Sequence, residues 1–370
     1  MKFTCTKNEL ANALRIVSKA IANKPQTPVL AGIYVRAEEN QLELQATNYE
    51  LGFVSRIQAE VETPGQIAIG GRYFLEVVNK MPGDTITISL DDDARTVHIQ
   101  SEKVNFTLLS MNPAEFPVIR PLDGNLQFTI KDNVLRTLIK KTSFACSTDE
   151  GKPVFTGCSL VVDGTEVTMA ASNMHRLSVM KETFDEPIGS IRIIIPAKIL
   201  NEILHSASSD IPSDVTITCS YNQISFVLDN LYMTSRLIEG TFPSYSRVIP
   251  NSFATHVQVD TAAFTAALDR VSLIARSDEY NVVKMDFRNK QVHLMARNPE
   301  VGDADEYVSA EIDGPDVQTA FNAQYFIDVM KALDSSVCRI GLNQELSPAA
   351  VREADNDKFI YVVTPVRTAH

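Results

Sequence analysis

The sequence repeats itself three times at a fixed spacing, and this constrains the fold more than any other feature. An alternating run that ends in Ala-x-Asn occurs at 42–48, 167–173 and 292–298, so that the three asparagines stand 125 residues apart. Turn-forming residues precede each run at the same distance, and the clearest of them are Asp163-Gly164, a pair typical of β-hairpins. One supersecondary unit is therefore expected to occur three times.

Each unit is predicted to contain two helices and several strands. The first helix of each copy is indicated by apolar residues at a period of 3.6, namely Leu10, Leu14, Val17 and Ile21, then Leu135, Leu138, Ile139 and Thr142, then Phe264, Leu268, Val271 and Ala275. A second helical stretch follows midway through each unit, and runs of period-2 alternation predict strands. The pattern predicts an α+β fold of three repeated domains, 1–124, 125–250 and 251–370, each with two helices on antiparallel sheets.

The charge distribution separates the helices from the rest of the chain. The net charge of -12 by itself argues against nucleic-acid binding, because phosphates are neutralised by clustered Lys and Arg. The helices are predicted at 7–24, 72–80, 131–141, 196–206, 261–276 and 323–334. They carry 14 basic and 7 acidic residues, whereas the remainder of the chain carries 20 basic and 39 acidic residues. Projection at about 100° per residue places five basic residues away from the apolar stripes: Arg15, Lys19, Arg136, Lys140 and Lys141. Ordinary solvated helix faces carry the same charge pattern. A nucleic-acid-binding surface and a plain solvent-exposed surface are therefore both open interpretations at this point.

Three like domains per chain allow two chains to close into a pseudo-sixfold ring, and closed symmetric dimers are the commonest oligomers. Twelve helices would line such a ring. At a helix spacing of about 8–10 Å, their axes would lie on a circle roughly 32–38 Å across. A hydrated duplex fits inside this circle. Cationic helices would then face the DNA while acidic sheets faced outward.

Several segments together resemble one known family. They are Met1–Thr4, 24–30, Glu115–Pro117, Asn173–Ser178, Gly240–Pro250 and Tyr361–Arg367. In this order, and set within the threefold repeat, they are similar to the beta subunits of bacterial DNA polymerase III, the processivity clamps, over essentially the full length of the chain.

No apolar run is long enough for a signal peptide or a membrane span, and no Cys-x-x-Cys pair suggests a zinc site, so a cytoplasmic protein without a metal site is expected. The resemblance implies a scaffold that catalyses no reaction and needs no cofactor. Members of the family form homodimers that encircle double-stranded DNA without sequence preference. They tether the DNA polymerase III catalytic subunit, the clamp loader and other replication and repair proteins through short linear motifs. By match to the family, Lys24, Arg72 and Lys198 are DNA-facing residues, and the five helix residues projected above join them. The acidic loop around Lys152 argues against DNA contact by that lysine.

The resemblance also implies a partner-peptide pocket between the second and third domains. The matching positions are Met174, His175, Arg176, Leu177, Pro243, Arg247, Val248, Leu346, Pro365, Val366 and Arg367. Pro365 cannot continue a central strand, so the apolar chain end is able to line a groove for a peptide. A plain closing edge strand is the alternative. Where this chain has Asn173-Met174, the family more commonly has Asp-Gly or Asp-Ser, and where it has Thr364, the family more commonly has Met. These departures predict a shifted peptide preference.

Dimerisation in the family joins the first domain of one chain to the third domain of the other. The matching apolar residues are Phe106 and Leu108 against Leu273 and Ile274. A head-to-tail contact of this kind, made twice, closes a ring. The alternative is that Phe106 and Leu108, which alternate on a strand, belong to ordinary core.

Two other classes of function compete with a clamp. An enzyme would use His175, with Asp149 or Asp163 as its acidic partner. No His-Glu-x-x-His motif, nucleophile elbow or phosphate-binding glycine loop accompanies that histidine, and its repeat-equivalent positions hold Glu50 and Glu300. An acidic protein-binding module with no DNA in its centre is the third class, and the sequence does not exclude it.

Overall fold

A computed structural model describes residues 1–91, 95–206, 212–276, 281–344 and 346–367. The chain divides into two compact units, Met1–Asn133 with His205–Leu237, and Val134–Leu204 with Ile238–His370. Among the described residues, no helix is long and apolar enough to cross a membrane.

The helices and strands follow the threefold repeat. The first repeat contains β1 (Lys2–Thr6), α1 (Lys7–Val17), β2 (Gly32–Glu38), β3 (Gln41–Thr47), β4 (Leu51–Gln58), β5 (Glu60–Thr63), β6 (Gly65–Gly70), α2 (Gly71–Lys80), β7 (Thr85–Leu90), β8 (Thr96–Ser101) and β9 (Val104–Met111). The second contains β10 (Leu126–Lys131), α3 (Asp132–Thr142), β11 (Gly157–Gly164), β12 (Glu166–Ser172), β13 (Arg176–Thr183), β14 (Gly189–Pro196), α4 (Ala197–Ser206), β15 (Asp214–Cys219), β16 (Gln223–Leu228) and β17 (Leu231–Arg236). The third contains β18 (Thr255–Asp260), α5 (Thr261–Ala275), β19 (Val282–Arg288), β20 (Gln291–Asn298), β21 (Gly302–Asp313), β22 (Val317–Asn322), α6 (Ala323–Ala332), β23 (Val337–Leu342), β24 (Ala349–Glu353) and β25 (Asn356–Val363).

The described strands form two sheets that run across the repeat boundaries. One has the order β10-β15-β16-β17-β4-β3-β2-β6-β9-β8-β7-β1-β5, and the other β14-β11-β12-β13-β25-β24-β23-β18-β21-β20-β19-β22. Strand β17 of the second repeat pairs with β4 of the first, and β13 of the second pairs with β25 of the third, in both cases antiparallel. The second repeat therefore contributes one half-sheet to each unit.

The helices bury the apolar stripes that the sequence predicts. Leu10, Leu14 and Val17 of α1 are buried, as are the corresponding residues of α3 and α5. Each helix begins within one residue of its predicted start. The first helix ends at Val17 rather than at residue 24, and a single 3₁₀ turn follows it. The Ser18 hydroxyl donates to the Arg15 carbonyl, a local bond that competes with helix continuation.

Candidate partner-binding groove and DNA-facing surface

The Ala-x-Asn signal of the sequence corresponds to the same side-chain-capped turn in each repeat. The Asn173 side-chain oxygen accepts hydrogen bonds from the backbone N–H groups of His175 and Arg176, both at 3.0 Å. Asn48 and Asn298 each accept a matching pair from the residues two and three positions on. Asparagine favours such turns because its short side chain reaches its own backbone. In the second repeat, the turn presents residues 174–177 to a surface groove.

This groove encloses about 570 Å³ of space that is open to solvent on one side. Four segments of the second unit form it: the 3₁₀ turn Pro153–Phe155, the β12–β13 turn, the segment 242–248 that begins at the Phe-Pro corner, and the end of β25 with Thr364. Its lining residues are Phe155, Ser172, Met174, His175, Arg176, Leu177, Phe242, Pro243, Ser244, Tyr245, Val248, Val362 and Thr364. Most of these side chains are apolar, and burial raises the pKa of the Tyr245 hydroxyl above its usual value. A concave apolar surface with few polar groups suits a peptide with large apolar side chains.

Arg176 is held rigidly in the groove wall. Its guanidinium donates to Asp328 of α6 at 2.6 Å and to the Phe144 carbonyl. The guanidinium carbon lies 4.5 Å from the centre of the Tyr325 ring and 5.7 Å from that of Phe144. Cation–π contacts with these two rings together with an ion pair fix the side chain. Arg176 therefore ties the groove wall to helix α6 of the third repeat.

The chain end turns away from the groove after its last strand. The backbone N–H and the hydroxyl of Thr364 both donate to the His175 carbonyl at 3.0 Å. Beyond Pro365, the Val366 N–H donates to the Ala320 carbonyl at 2.8 Å. Val366 and Arg367 consequently line a separate cavity.

The structure thus divides the predicted pocket set. Six of its members line the groove: Met174, His175, Arg176, Leu177, Pro243 and Val248. Arg247, Leu346 and Pro365 are not among the lining residues, and Val366 and Arg367 belong to the other cavity. Sequence reasoning missed Phe155 and Tyr245, although Tyr245 stands within a segment that carried the family resemblance.

The first repeat has no open space at the equivalent place. Gly52 occupies the position that Leu177 has in the second repeat. A Cβ atom on Gly52 would lie 3.0 Å from side-chain atoms of both Ile119 and Thr234. The Ile119 N–H is also fixed, because it donates to the Gln45 side chain at 2.8 Å. Ile119 of the first repeat and Thr234 of the second therefore occupy the place beside Gly52 that a side chain would need.

Comparison with known proteins covers the whole chain. Three family models match it in succession: the N-terminal domain of the DNA polymerase III beta subunit at residues 1–120, the central domain at 129–244 and the C-terminal domain at 246–367. The beta sliding clamp of Staphylococcus epidermidis is 30% identical, and that of Staphylococcus aureus 29%, each over 100% of both chains. The chain belongs to the DNA polymerase III beta subunit family.

Solved beta clamps share its fold as well as its sequence pattern. The DNA polymerase sliding clamp of Bacillus subtilis superposes with a TM-score of 0.92 at 29% identity, with 100% of each chain covered. A sliding clamp from Pseudomonas aeruginosa, solved bound to griselimycin, gives 0.91 at 28%, again over 100% of each chain. The prediction of an α+β fold with three clamp domains is confirmed.

Most of the cationic residues expected to face DNA in this beta clamp are exposed. Lys24 follows the 3₁₀ turn in a left-handed conformation, and Arg15, Lys19 and Lys198 are exposed as well. The Arg72 side chain is 85% exposed. Its Nε atom lies 3.1 Å from a carboxylate oxygen of Glu76, which stands one helical turn further on. An exposed pair of this kind contributes little to stability. These five side chains are free to reach a phosphate.

The three cationic residues of α3 behave differently from one another. Lys140 is exposed and pairs with Asp334. Arg136 is half-buried and donates to the Leu204 carbonyl at 2.9 Å. Lys141 is only 1% exposed, and its ammonium contacts Asp334 and Glu353. This placement corrects the expectation that Lys141 lies on the solvent face: it sits on the flank of the apolar stripe, where the buried Glu353 and the exposed Asp334 of the third repeat contact its ammonium.

The two carboxylates that contact Lys141 have lowered pKa values. Burial raises the pKa of Glu353, but hydrogen bonds from the Asp334 N–H, from Lys141 and from Asn356 outweigh it, so the net pKa is lowered. Burial likewise opposes ionisation of Asp334, and Lys140 and Lys141 reverse this effect and lower its pKa. The cluster is thus an ion network and not a neutral hydrogen-bonded one.

The residues expected at the dimer contact are not ordinary core. Phe106 is 40% exposed and Leu108 is half-buried on β9, and Leu273 on α5 is 63% exposed, with Ile274 half-buried beside it. Within the described residues, 104–109 of β9 pair with β8 on one side only. An edge strand with exposed apolar side chains is a template for pairing with another chain.

Proposed function

We propose that this beta clamp closes, as a homodimer, into a ring around double-stranded DNA and tethers the replicative polymerase through the groove at residues 172–177, in the cytoplasm and without catalysing a reaction. The observation that carries the proposal is the match to beta sliding clamps along all of the chain and all of each relative. We place the domains at 1–124, 125–250 and 251–370, which the successive family-model matches support.

A topological link explains how an acidic protein works on DNA. The net charge of -12 repels phosphates at long range. A closed ring needs no tight contact, so a few exposed cations such as Lys24, Arg72 and Lys198 suffice to centre the duplex. Such contacts are weak and independent of sequence, and they permit sliding. Lys141 is left out of this DNA-facing set because it is buried.

The groove gives the clamp its partners. Its apolar walls fit short linear motifs with aliphatic or aromatic side chains, carried by the DNA polymerase III catalytic subunit, the clamp loader and other replication and repair proteins. The departures at Met174 and Thr364 both lie on the groove lining. They therefore act on which motif residues fit and leave the fold unchanged.

The two competing classes have less support. For an enzyme, His175 would need an acidic partner, and within the described residues its ring makes no hydrogen bond or ion pair with a carboxylate. An acidic binding module without DNA would share the groove but would not need a ring. Topology therefore provides the decisive test.

We expect the clamp, once loaded by its clamp loader with ATP, to remain on a nicked circular plasmid through gel filtration at high salt. Linearisation of the same plasmid releases it within minutes, because a ring slides off a free end. The measurement is the fraction of labelled clamp that co-elutes with DNA. Equal retention on circular and linear DNA would contradict encirclement, and no retention on either would favour the DNA-free module.

The cationic residues make a separate prediction. Replacement of Lys24, Arg72 and Lys198 by Glu weakens equilibrium binding of the dimer to a short linear duplex and lowers the slope of log affinity against log salt by about one for each lost contact. Fluorescence anisotropy across a salt series measures this slope. A control with the same charge change replaces Lys131, Lys181 and Lys290, which stand on strands or in a hairpin, by Glu. If both triple variants have the same slope, these residues do not contact DNA.

A further inference from the structure

The joint between the second and third repeats contains a buried ion network. The Lys141 ammonium, near the end of α3, donates to the Ala332 carbonyl at 2.7 Å and contacts Asp334 at 2.9 Å. Its third contact is Glu353, the last residue of β24, whose side chain is 5% exposed. Glu353 also accepts from the Asp334 N–H at 2.6 Å. Every polar group in this network has a partner inside it.

The joint between the first and second repeats uses an apolar pair at the same positions. A shift of 125 residues takes Lys141 to Ile16, in α1, and Glu353 to Leu228, at the end of β16. The equivalence is structural, because Leu228 pairs across its hairpin with Leu231 as Glu353 does with Asn356. Ile16 and Leu228 line one groove within the first unit. The two joints thus share a backbone plan and differ in chemistry.

This difference bears on assembly because the three repeats resemble one another. Because the repeats share this backbone plan, two wrong pairings have to be avoided: the hairpin end of the third repeat on the helix end of the first, and the hairpin end of the second repeat on the helix end of the second repeat in another copy. A wrong pairing would bury Glu353 against Ile16, or Lys141 against Leu228. Each leaves a charge buried without its partner, which disfavours the wrong pairing by about 100-fold or more.

We infer that Lys141 and Glu353 act as a recognition pair that makes the hairpin end of the third repeat dock on the helix end of the second repeat and not on the helix end of the first, in the same chain or in another copy. The pair adds discrimination and not net stability, since an apolar pair of similar volume stabilises a buried site as well or better. In coiled coils, a single buried polar contact likewise selects one register among otherwise similar helix pairings, at a cost in stability. The inference concerns how the chain assembles and does not depend on what the clamp binds.

The test compares single and double substitutions in the full-length chain. Lys141→Ile alone or Glu353→Leu alone lowers the urea midpoint, because the remaining charge stays buried without the other member of the pair. The double variant, which copies the first joint, regains the wild-type midpoint or exceeds it. On rapid dilution from urea, however, its yield of native dimer falls at least about twofold and soluble misassembled oligomers take its place. Light scattering after gel filtration measures both species.

A control separates this effect from loss of surface charge. Lys140→Ala removes the neighbouring exposed contact with Asp334 and leaves both the midpoint and the yield unchanged. Two outcomes overturn the inference: a double variant that refolds with the wild-type yield, which removes the recognition role, and a double variant as unstable as the singles, which makes the pair a stabiliser instead.

Discussion

A chain that carries Leu273→Glu and Ile274→Glu is expected to be a monomer. Both side chains lie at the end of α5, and Leu273 is largely exposed, so the substitutions leave the fold intact. In the proposed dimer they would face the apolar edge strand that carries Phe106 and Leu108. Each carboxylate buried there without a partner opposes association by several kcal/mol, which weakens the dimer by about 1,000-fold or more. Sedimentation equilibrium measures the mass directly.

The matched control is Tyr221→Glu, because Tyr221 is an exposed apolar residue in the turn between β15 and β16. It is expected to remain a dimer. The monomeric variant also loses retention on circular DNA but keeps its affinity for a partner peptide, since the groove lies within one chain. A double variant that sediments as a dimer would refute the assignment of this contact.

The second large effect is expected at the groove. Val248→Asp places a carboxylate on an apolar wall, and because Val248 is 46% exposed, the unbound protein tolerates the change. A bound peptide would bury that charge without a partner, at a free-energy cost of about 2 kcal/mol or more. The affinity for the polymerase catalytic subunit falls at least about 30-fold. Surface plasmon resonance with immobilised clamp measures it.

Val118→Asp is the control for this variant. Val118 follows the Phe-Pro corner of the first repeat and is 47% exposed, but the equivalent space in that repeat is filled. It is expected to bind the polymerase as the wild type does, and both variants keep their dimer mass. Equal affinities of the two variants would move the partner site away from the groove.

The features that the sequence predicts well depend on near neighbours. The period of Leu10, Leu14 and Val17 reports a helix because those residues lie on one face one turn apart. The asparagine turns are equally local, since Asn173 caps its own backbone two and three residues on. For this reason the sequence pattern predicts the helix starts, whereas the groove residues 174–177 were expected only from the resemblance to the family.

The features that it does not predict depend on distant parts of the chain. Alternation marks β17 and β13 as strands but says nothing of their partners in other repeats, so the continuity of the sheets is missed. A helical projection judges the exposure of Lys141 from its own helix alone. The burial of Lys141 depends on Glu353, which lies more than 200 residues away in the sequence. Phe155 joins the groove for the same reason, because only the fold brings it beside residues 172–177.

The packing of Ile119 over Gly52 sets the valency of the assembly. Of the first two repeats, which share the same turn, one leaves the equivalent space open and the other occupies it, so this pair of repeats offers one groove in each protomer. A two-chain ring is then bivalent, and two tethered proteins hold each other at high effective concentration. A polymerase and a repair factor would share one ring without competing until a third arrives.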